Sequence, residues 1–285
     1  MSVNPTKLRT NYHTHSTYCD GKEPLSRFVE TACSLGYDQL GFSSHSPVPF
    51  ENDFGIHEEN IPLYTSEIDN LQQQHPDIQL FKGLECDFIP GMTQPFSYYQ
   101  KKYHLDYVIG GIHLVRAPNS NSIWFIDGPK REIYDQGLIR LFDGNIRKAV
   151  TQFWEQTFEM IETQHFDIIA HFDKIKMHNQ DRYFTEDEPW YVQLVDHCIE
   201  LIHRQHLIVE INTRGIYKGR CPDYYPSDYA LRQISERDIP MVVSTDAHLS
   251  EELPLGADAA IHHIKSFGIN HLMYINHQQW EEYAI

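Results

Sequence analysis

Short, unbroken apolar runs alternate along the chain with longer stretches in which apolar residues recur every three or four positions. Runs of the first kind read as buried strands, and stretches of the second kind as amphipathic helices. The strand-like runs are Lys7–Tyr12, Gln39–Phe42, Ile78–Leu84, Tyr107–Ile112, Asp167–Ala170, Leu207–Ile211 and Pro240–Thr245. Helices are predicted between them at Pro24–Leu35, stopped by Gly36, and at Glu59–Gln74, closed by Pro76. A long helix ending near Gln164, then Pro189–Gln205 and Ser227–Glu236, continue the alternation. The tail adds a helix at Ala257–Phe267 and a short strand at Leu272–Ile275. The stretch from Val115 to Asp143 breaks the rhythm; it is aromatic and polar, with Trp124, Phe125, Tyr134 and Phe142.

Strand–helix alternation makes a parallel sheet with helices outside it, either open and doubly wound or closed as a barrel. The residues that follow the strands separate the two. An open sheet gathers its ligand-binding residues at one switch point. Here six of the seven runs lead into a metal-ligand residue: His13 and His15, His45, Glu85, His113, His171, and Asp246 with His248. The seventh leads into Asn212 and Arg214. Polar residues at nearly every strand end predict a (β/α) barrel with its site at the C-terminal face.

Spacing supports a shared target. Alternate residues of an extended chain point the same way, so His13 and His15 can aim at one point, as can Asp246 and His248. A single histidine at a strand end, such as His45 or His171, is more often structural, and Asp20 before Gly21 is ordinarily a turn former. Glu85 and Asp246 after buried strands are harder to dismiss, because an unpaired buried carboxylate is costly. Together the nine residues point to a metal site. Histidine and carboxylate without thiolate suit zinc, manganese or iron, and nine ligands exceed the need of one ion. His197, His203, His206, His262 and His263 are expected at the surface, whereas His178 follows His171 near the mouth.

The 285 residues carry a formal net charge of −17, which repels nucleic acid and anionic membranes unless a local patch reverses it. One domain spanning 1–285 is expected, since no linker or repeat interrupts the pattern. No run reaches the roughly 18 apolar residues of a membrane span. The start, Met-Ser-Val-Asn-Pro, shows no signal peptide. Cys19, Cys33, Cys86, Cys198 and Cys221 are scattered, as expected for reduced thiols in a cytoplasmic protein.

The motifs resemble the PHP (polymerase and histidinol phosphatase) superfamily. Those that match are His13-Thr14-His15, Asp20-Gly21, Ser44-His45-Ser46-Pro47, Gly83-Leu84-Glu85, Gly111-Ile112-His113, Ile169-Ala170-His171 and Ser244-Thr245-Asp246-Ala247-His248. Within it, the chain looks similar to PHP-type histidinol-phosphatases, through Ser-His-Ser-Pro, the long segment after His113, and Glu210 to Gly215 ahead of Tyr225-Pro226-Ser227. The resemblance covers essentially the whole chain. It implies a distorted (β/α)7 barrel with a trinuclear site. His13, His15, Glu85 and Asp246 would hold one ion, Glu85 would bridge to a second on His113 and His171, and Asp20, His45 and His248 would hold the third. Ser44 departs from the aspartate common at that position.

The activity implied is hydrolysis of a small phosphomonoester, L-histidinol phosphate, by direct attack of a metal-bound hydroxide. Three divalent ions of zinc, iron or manganese are the implied cofactors. Glu85, Asp246 and His248 would be catalytic, with the proton donor to the leaving alcohol left open among Asp246, His248 and a metal-bound water. The basic residues that bind phosphate in the family find no matching motif; by position the candidates are Arg116, Lys174 and Arg214. The 115–143 segment would form a wall or lid, with Asp127, Glu132 or Asp135 facing the substrate amine. Alternatives are another PHP phosphoesterase acting on a nucleotide or sugar phosphate, and a metal-binding protein without turnover. An amidohydrolase also opens with His-x-His but leaves Asp20, His45 and Glu85 unexplained.

Overall fold

The computed structural model describes residues 8–285, so Lys7, at the head of the first predicted strand, lies outside it. The chain opens with β1 (Thr10–Asn11), α1 (Leu25–Ser34), β2 (Gln39–His45), α2 (Ile61–Gln74), β3 (Gln79–Asp87), α3 (Phe96–Tyr103) and β4 (Tyr107–Gly111). A hairpin of β5 (Leu114–Arg116) and β6 (Ile123–Phe125) leads to α4 (Arg131–Phe142) and α5 (Ile146–Thr163). Then come β7 (Ile168–Ile169), α6 (Pro189–Arg204), β8 (Ile208–Asn212), α7 (Arg214–Tyr217), α8 (Asp228–Ser235) and β9 (Met241–Ser244). The chain closes with α9 (Ala257–Lys265), β10 (His271–Asn276) and β11 (Gln279–Ala284).

Seven strands form one parallel sheet in the order β1-β2-β3-β4-β7-β8-β9. Its two edges meet. Thr14 bridges Ala247 in parallel register, and the His15 N–H donates to the Ala247 carbonyl at 2.8 Å. Asn11 reinforces the seam by accepting from the Thr245 N–H at 2.9 Å. The result is the nearly closed (β/α)7 barrel expected from the strand–helix alternation.

Residues of β2, β4, β8 and β9 are buried along their whole length, because helices cover one face of the sheet and the barrel interior the other. That is why these strands read as unbroken apolar runs. Tyr107 fills the interior; a Cβ at Gly41 or Gly83 would lie 2.4 or 2.5 Å from its ring and hydroxyl atoms. Below it the antiparallel β10–β11 hairpin stoppers the N-terminal opening. The Trp280 ring packs 5.0 Å from that of Tyr12, and its Nε1 donates to Asp167 Oδ1 at 3.2 Å. The C-terminal strand ends are thus left as the open mouth.

The 115–143 stretch is a hairpin and a helix whose aromatic residues mostly pack inward, while Phe125 stays half-buried. Trp124, Tyr134 and Phe142 are fully buried against one another, with ring centroids 4.6 and 5.4 Å from Trp124. Gly137 on α4 makes room for the indole, since a Cβ there would lie 2.1 Å from Trp124 Cδ1. α3, the β5–β6 hairpin, α4, α7 and β11 were not predicted.

Candidate metal centre

Asn11 shapes the turn that carries the two leading histidines. Its Nδ2 donates to the His13 carbonyl at 3.0 Å and to Thr14 Oγ1 at 2.7 Å. His13 and His15 are completely buried and face the same centre, Glu85. Glu85 Oε2 lies 3.1 Å from His13 Nε2 and 3.4 Å from His15 Nε2. Its other oxygen, Oε1, lies 3.0 Å from His171 Nε2 and 3.3 Å from His113 Nε2. Oε2 also lies 3.0 Å from His45 Nδ1, so one carboxylate presents one oxygen to His13, His15 and His45 and the other to His113 and His171.

Asp246 Oδ1 joins the first pair, 3.3 Å from His15 Nε2 and 3.8 Å from His13 Nε2. On the remaining side Asp20 Oδ1 lies 3.2 Å from His248 Nε2 and 3.8 Å from His45 Nε2. All nine side chains fall into interlocking groups whose ligand atoms lie within 4.8 Å of one another.

The residues fit a cluster of divalent ions. His13 Nε2, His15 Nε2, Asp20 Oδ1, His45 Nδ1 and Glu85 Oε2 are buried with no hydrogen-bond partner among the described residues. An unmade buried bond costs about 1–3 kcal/mol, and native proteins rarely leave several together. Cations turn such lone pairs into ligands.

Residues behind the ligands fix their orientation. His13 Nδ1 lies 2.5 Å from Glu210 Oε1, and His113 Nδ1 lies 3.0 Å from both oxygens of Asp87. Each contact occupies Nδ1 and leaves Nε2 facing the centre. Burial opposes protonation of His13, but Glu210, Glu85 and Asp246 outweigh it and raise its pKa well above the ordinary value. His171 (φ 27°) and Asp246 (φ 51°) hold left-handed backbone conformations that non-glycine residues seldom adopt. Glu210 Oε2 accepts from the His171 N–H at 3.2 Å, and Arg214 Nη1 donates to the Asp246 carbonyl at 2.6 Å, which pins both turns.

The PHP domain family matches residues 11–214. The chain belongs to the PHP family. It is 27% identical to a probable histidinol-phosphatase of Deinococcus radiodurans, across 90% of this chain and 92% of that protein. It is 21% identical to the histidinol-phosphatase of Bacillus subtilis, across 87% of this chain and 96% of that protein. Its fold matches, at a TM-score of 0.67 and 17% identity, a histidinol phosphate phosphatase of Lactococcus lactis solved with zinc, L-histidinol and phosphate. That match covers 96% of this chain and 98% of the other.

Around the PHP cluster opens a cleft lined by Asp20, His45, His113 and His248, and by Phe54, Phe125, Asp127, Lys174, Arg214 and Arg220. Lys174 Nζ sits 2.8 Å from Asp127 Oδ2. Burial opposes its charge, but Asp127, Asp246 and Glu85 outweigh that and raise its pKa, so it is an ammonium group. Arg214 reaches the cleft while tied to Tyr217 Oη at 3.1 Å and Glu252 Oε2 at 3.3 Å.

Arg116 does not reach it. Its guanidinium turns back to the Pro90 carbonyl at 2.7 Å, the Ser120 carbonyl at 2.8 Å and Asn121 Oδ1 at 2.9 Å, clipping the β5–β6 hairpin. Arg220, which the sequence reading passed over, lines the cleft instead. Of the three acidic candidates only Asp127 is there; Glu132 is exposed, and Asp135 pairs with Arg182 at 2.7 and 2.9 Å. His178 stays outside the cluster, its Nε2 3.0 Å from the Gly128 carbonyl.

Asp87 and Glu210 were also passed over as site residues. Strand parity would have found them: Asp87 follows Glu85 by two residues on β3, and Glu210 precedes Asn212 by two on β8, so each shares a face with a mouth residue.

Proposed function

We propose that this PHP protein is a metal-dependent phosphomonoesterase that hydrolyses L-histidinol phosphate to L-histidinol and phosphate. The observation that carries the reading is Glu85, which offers one oxygen to His13, His15 and His45 and the other to His113 and His171, beside the ammonium of Lys174. His13, His15, Glu85 and Asp246 would hold one ion, Glu85 with His113 and His171 a second, and Asp20, His45 and His248 a third. Zinc, iron and manganese all suit that donor set. When bound, such ions neutralise phosphate charge and let a water ionise near neutral pH.

The remaining work falls to the chain's own groups. Lys174 and Arg220 supply local positive charge in a protein whose net charge of −17 would otherwise repel a phosphate ester. Asp127 holds Lys174 in place to stabilise charge on the phosphoryl oxygens. Burial opposes ionisation of Asp246, but His13, Arg214, His15 and His248 outweigh it and hold the carboxyl well below its ordinary range, so Asp246 serves as an ionised ligand, and His248 is left as the group to pass a proton to the departing alcohol oxygen. Arg214 braces Asp246 through its carbonyl. Asp127 is the carboxylate that an ammonium group on the leaving alcohol would meet. The relatives named histidinol-phosphatase support this choice of substrate.

Phosphate release from L-histidinol phosphate, beside a panel of sugar and nucleotide phosphates, tests the reading. A preference of about 100-fold, roughly 2.7 kcal/mol of transition-state discrimination, is expected. Flat activity across the panel would remove L-histidinol phosphate as the substrate and leave a phosphatase for another small ester.

A further inference from the structure

Phe54 and Phe125 are half-buried aromatic rings in an otherwise charged cleft. They come from separate segments, the loop after β2 and strand β6, yet their rings lie within 15° of parallel with centroids 6.4 Å apart. Each is fastened through the backbone to a residue of the metal centre. The Ile56 N–H donates to the His45 carbonyl at 2.9 Å, and the Ile126 N–H donates to the His113 carbonyl at 3.1 Å.

Both segments are held in shape. Asn52 Oδ1 accepts from the N–H groups of Phe54 at 3.2 Å and Gly55 at 2.7 Å. A Cβ at Gly55 would lie 2.8 Å from the Ser46 carbonyl oxygen, so the tight return of this loop needs glycine. Gly128, at φ 81°, gives the Phe125 ring its room.

Apolar rings contribute nothing to binding phosphoryl oxygens, which call for cations and N–H donors. They suit the organic part of an ester whose phosphate lies at the Glu85 cluster, and to that extent the inference rests on the function proposed above. We infer that Phe54 and Phe125 form the wall that selects the leaving group, favouring phosphate esters of alcohols that carry a flat aromatic or heteroaromatic ring. Stacking on such rings adds binding beyond buried area. Binding energy from a non-reacting ring orients the ester for the chemical step.

The test compares kcat/KM for 2-phenylethyl phosphate and n-pentyl phosphate, two primary-alcohol esters with similar leaving groups, on the metal-loaded protein. The variants are Phe54→Leu, Phe125→Leu and their combination, with Phe125→Tyr as the conservative control. Leucine keeps apolar bulk without a flat face. The wild type should favour the phenyl ester about 10-fold or more, and each leucine should lower that ratio about 2- to 10-fold. Tyrosine should restore it. Metal content and unfolding midpoint report whether each variant is intact; the single variants decide if the double one fails to fold. A wild-type ratio near one would overturn the inference. So would a ratio unchanged in variants whose two rates fall together, which is the mark of a structural role. A ratio that the leucines abolish, without any wild-type preference for L-histidinol phosphate over sugar phosphates, would uphold the wall and remove the histidinol reading.

Discussion

Glu210 is fully buried and satisfies three donors at once. Its Oε1 faces His13 Nδ1 at 2.5 Å, while Oε2 accepts from the His171 N–H at 3.2 Å and from Asn212 Nδ2 at 3.1 Å. Glu210→Gln keeps the shape but exchanges one acceptor for an NH2 donor. If the amide nitrogen faces His13, it meets the Nδ1–H or forces the other tautomer, which moves the ring proton to Nε2, the atom facing Glu85. If it faces the other way, it meets two donors. No orientation of a glutamine satisfies all three. A hydrogen bond to a charged group is worth about 1.5–3 kcal/mol. Loss of a residue that orients a metal ligand typically weakens metal binding about 10- to 100-fold, or 1.4–2.7 kcal/mol, so the two figures agree. Competition with a chromophoric chelator should therefore show at least one ion bound about 10- to 100-fold more weakly. Wild-type affinity in a folded Glu210→Gln protein would refute the orienting role.

Further outcomes follow from the same geometry. Glu85→Ala should lose bound metal and phosphate release together, measured by elemental analysis and phosphate assay; retained turnover would contradict the bridging role. Arg116→Ala should lower unfolding stability by about 1–3 kcal/mol in urea titration, through three lost hydrogen bonds, and leave KM near the wild-type value. Lys174→Ala should instead reduce kcat/KM about 100-fold, because a desolvated cation at the phosphoryl group is lost. Trp280→Ala should cost about 2–4 kcal/mol in the same titration, since the barrel floor loses its stopper and Asp167 its indole partner.

The barrel and the ligand-type residues were legible because every one but Asp20 stands at or just past the end of a buried strand, and a strand end fixes where the next side chain stands. His15, Glu85 and His113 needed no knowledge of distant contacts to be read as mouth residues. Arg116 did. It stands one residue beyond Val115 on a strand of three residues, and only the hairpin return to Ser120 and Asn121 decides that its guanidinium turns away. Trp124, Tyr134 and Phe142 read as a lid because aromatic residues in a polar stretch look exposed. The contact between β6 and α4 that buries them joins residues whose spacing follows neither a strand nor a helix period. Helix α3 was missed for a related reason: Phe96 and Tyr99 are its only buried residues, too few to set a period.

Metal titration of phosphate release is the most direct test of a metal-dependent phosphomonoesterase at this mouth. Protein stripped with chelator should release no phosphate from L-histidinol phosphate. Activity should return with added zinc, iron or manganese and saturate near about three equivalents per chain. Full turnover by the stripped protein, or none by the loaded protein on any phosphomonoester, would contradict it.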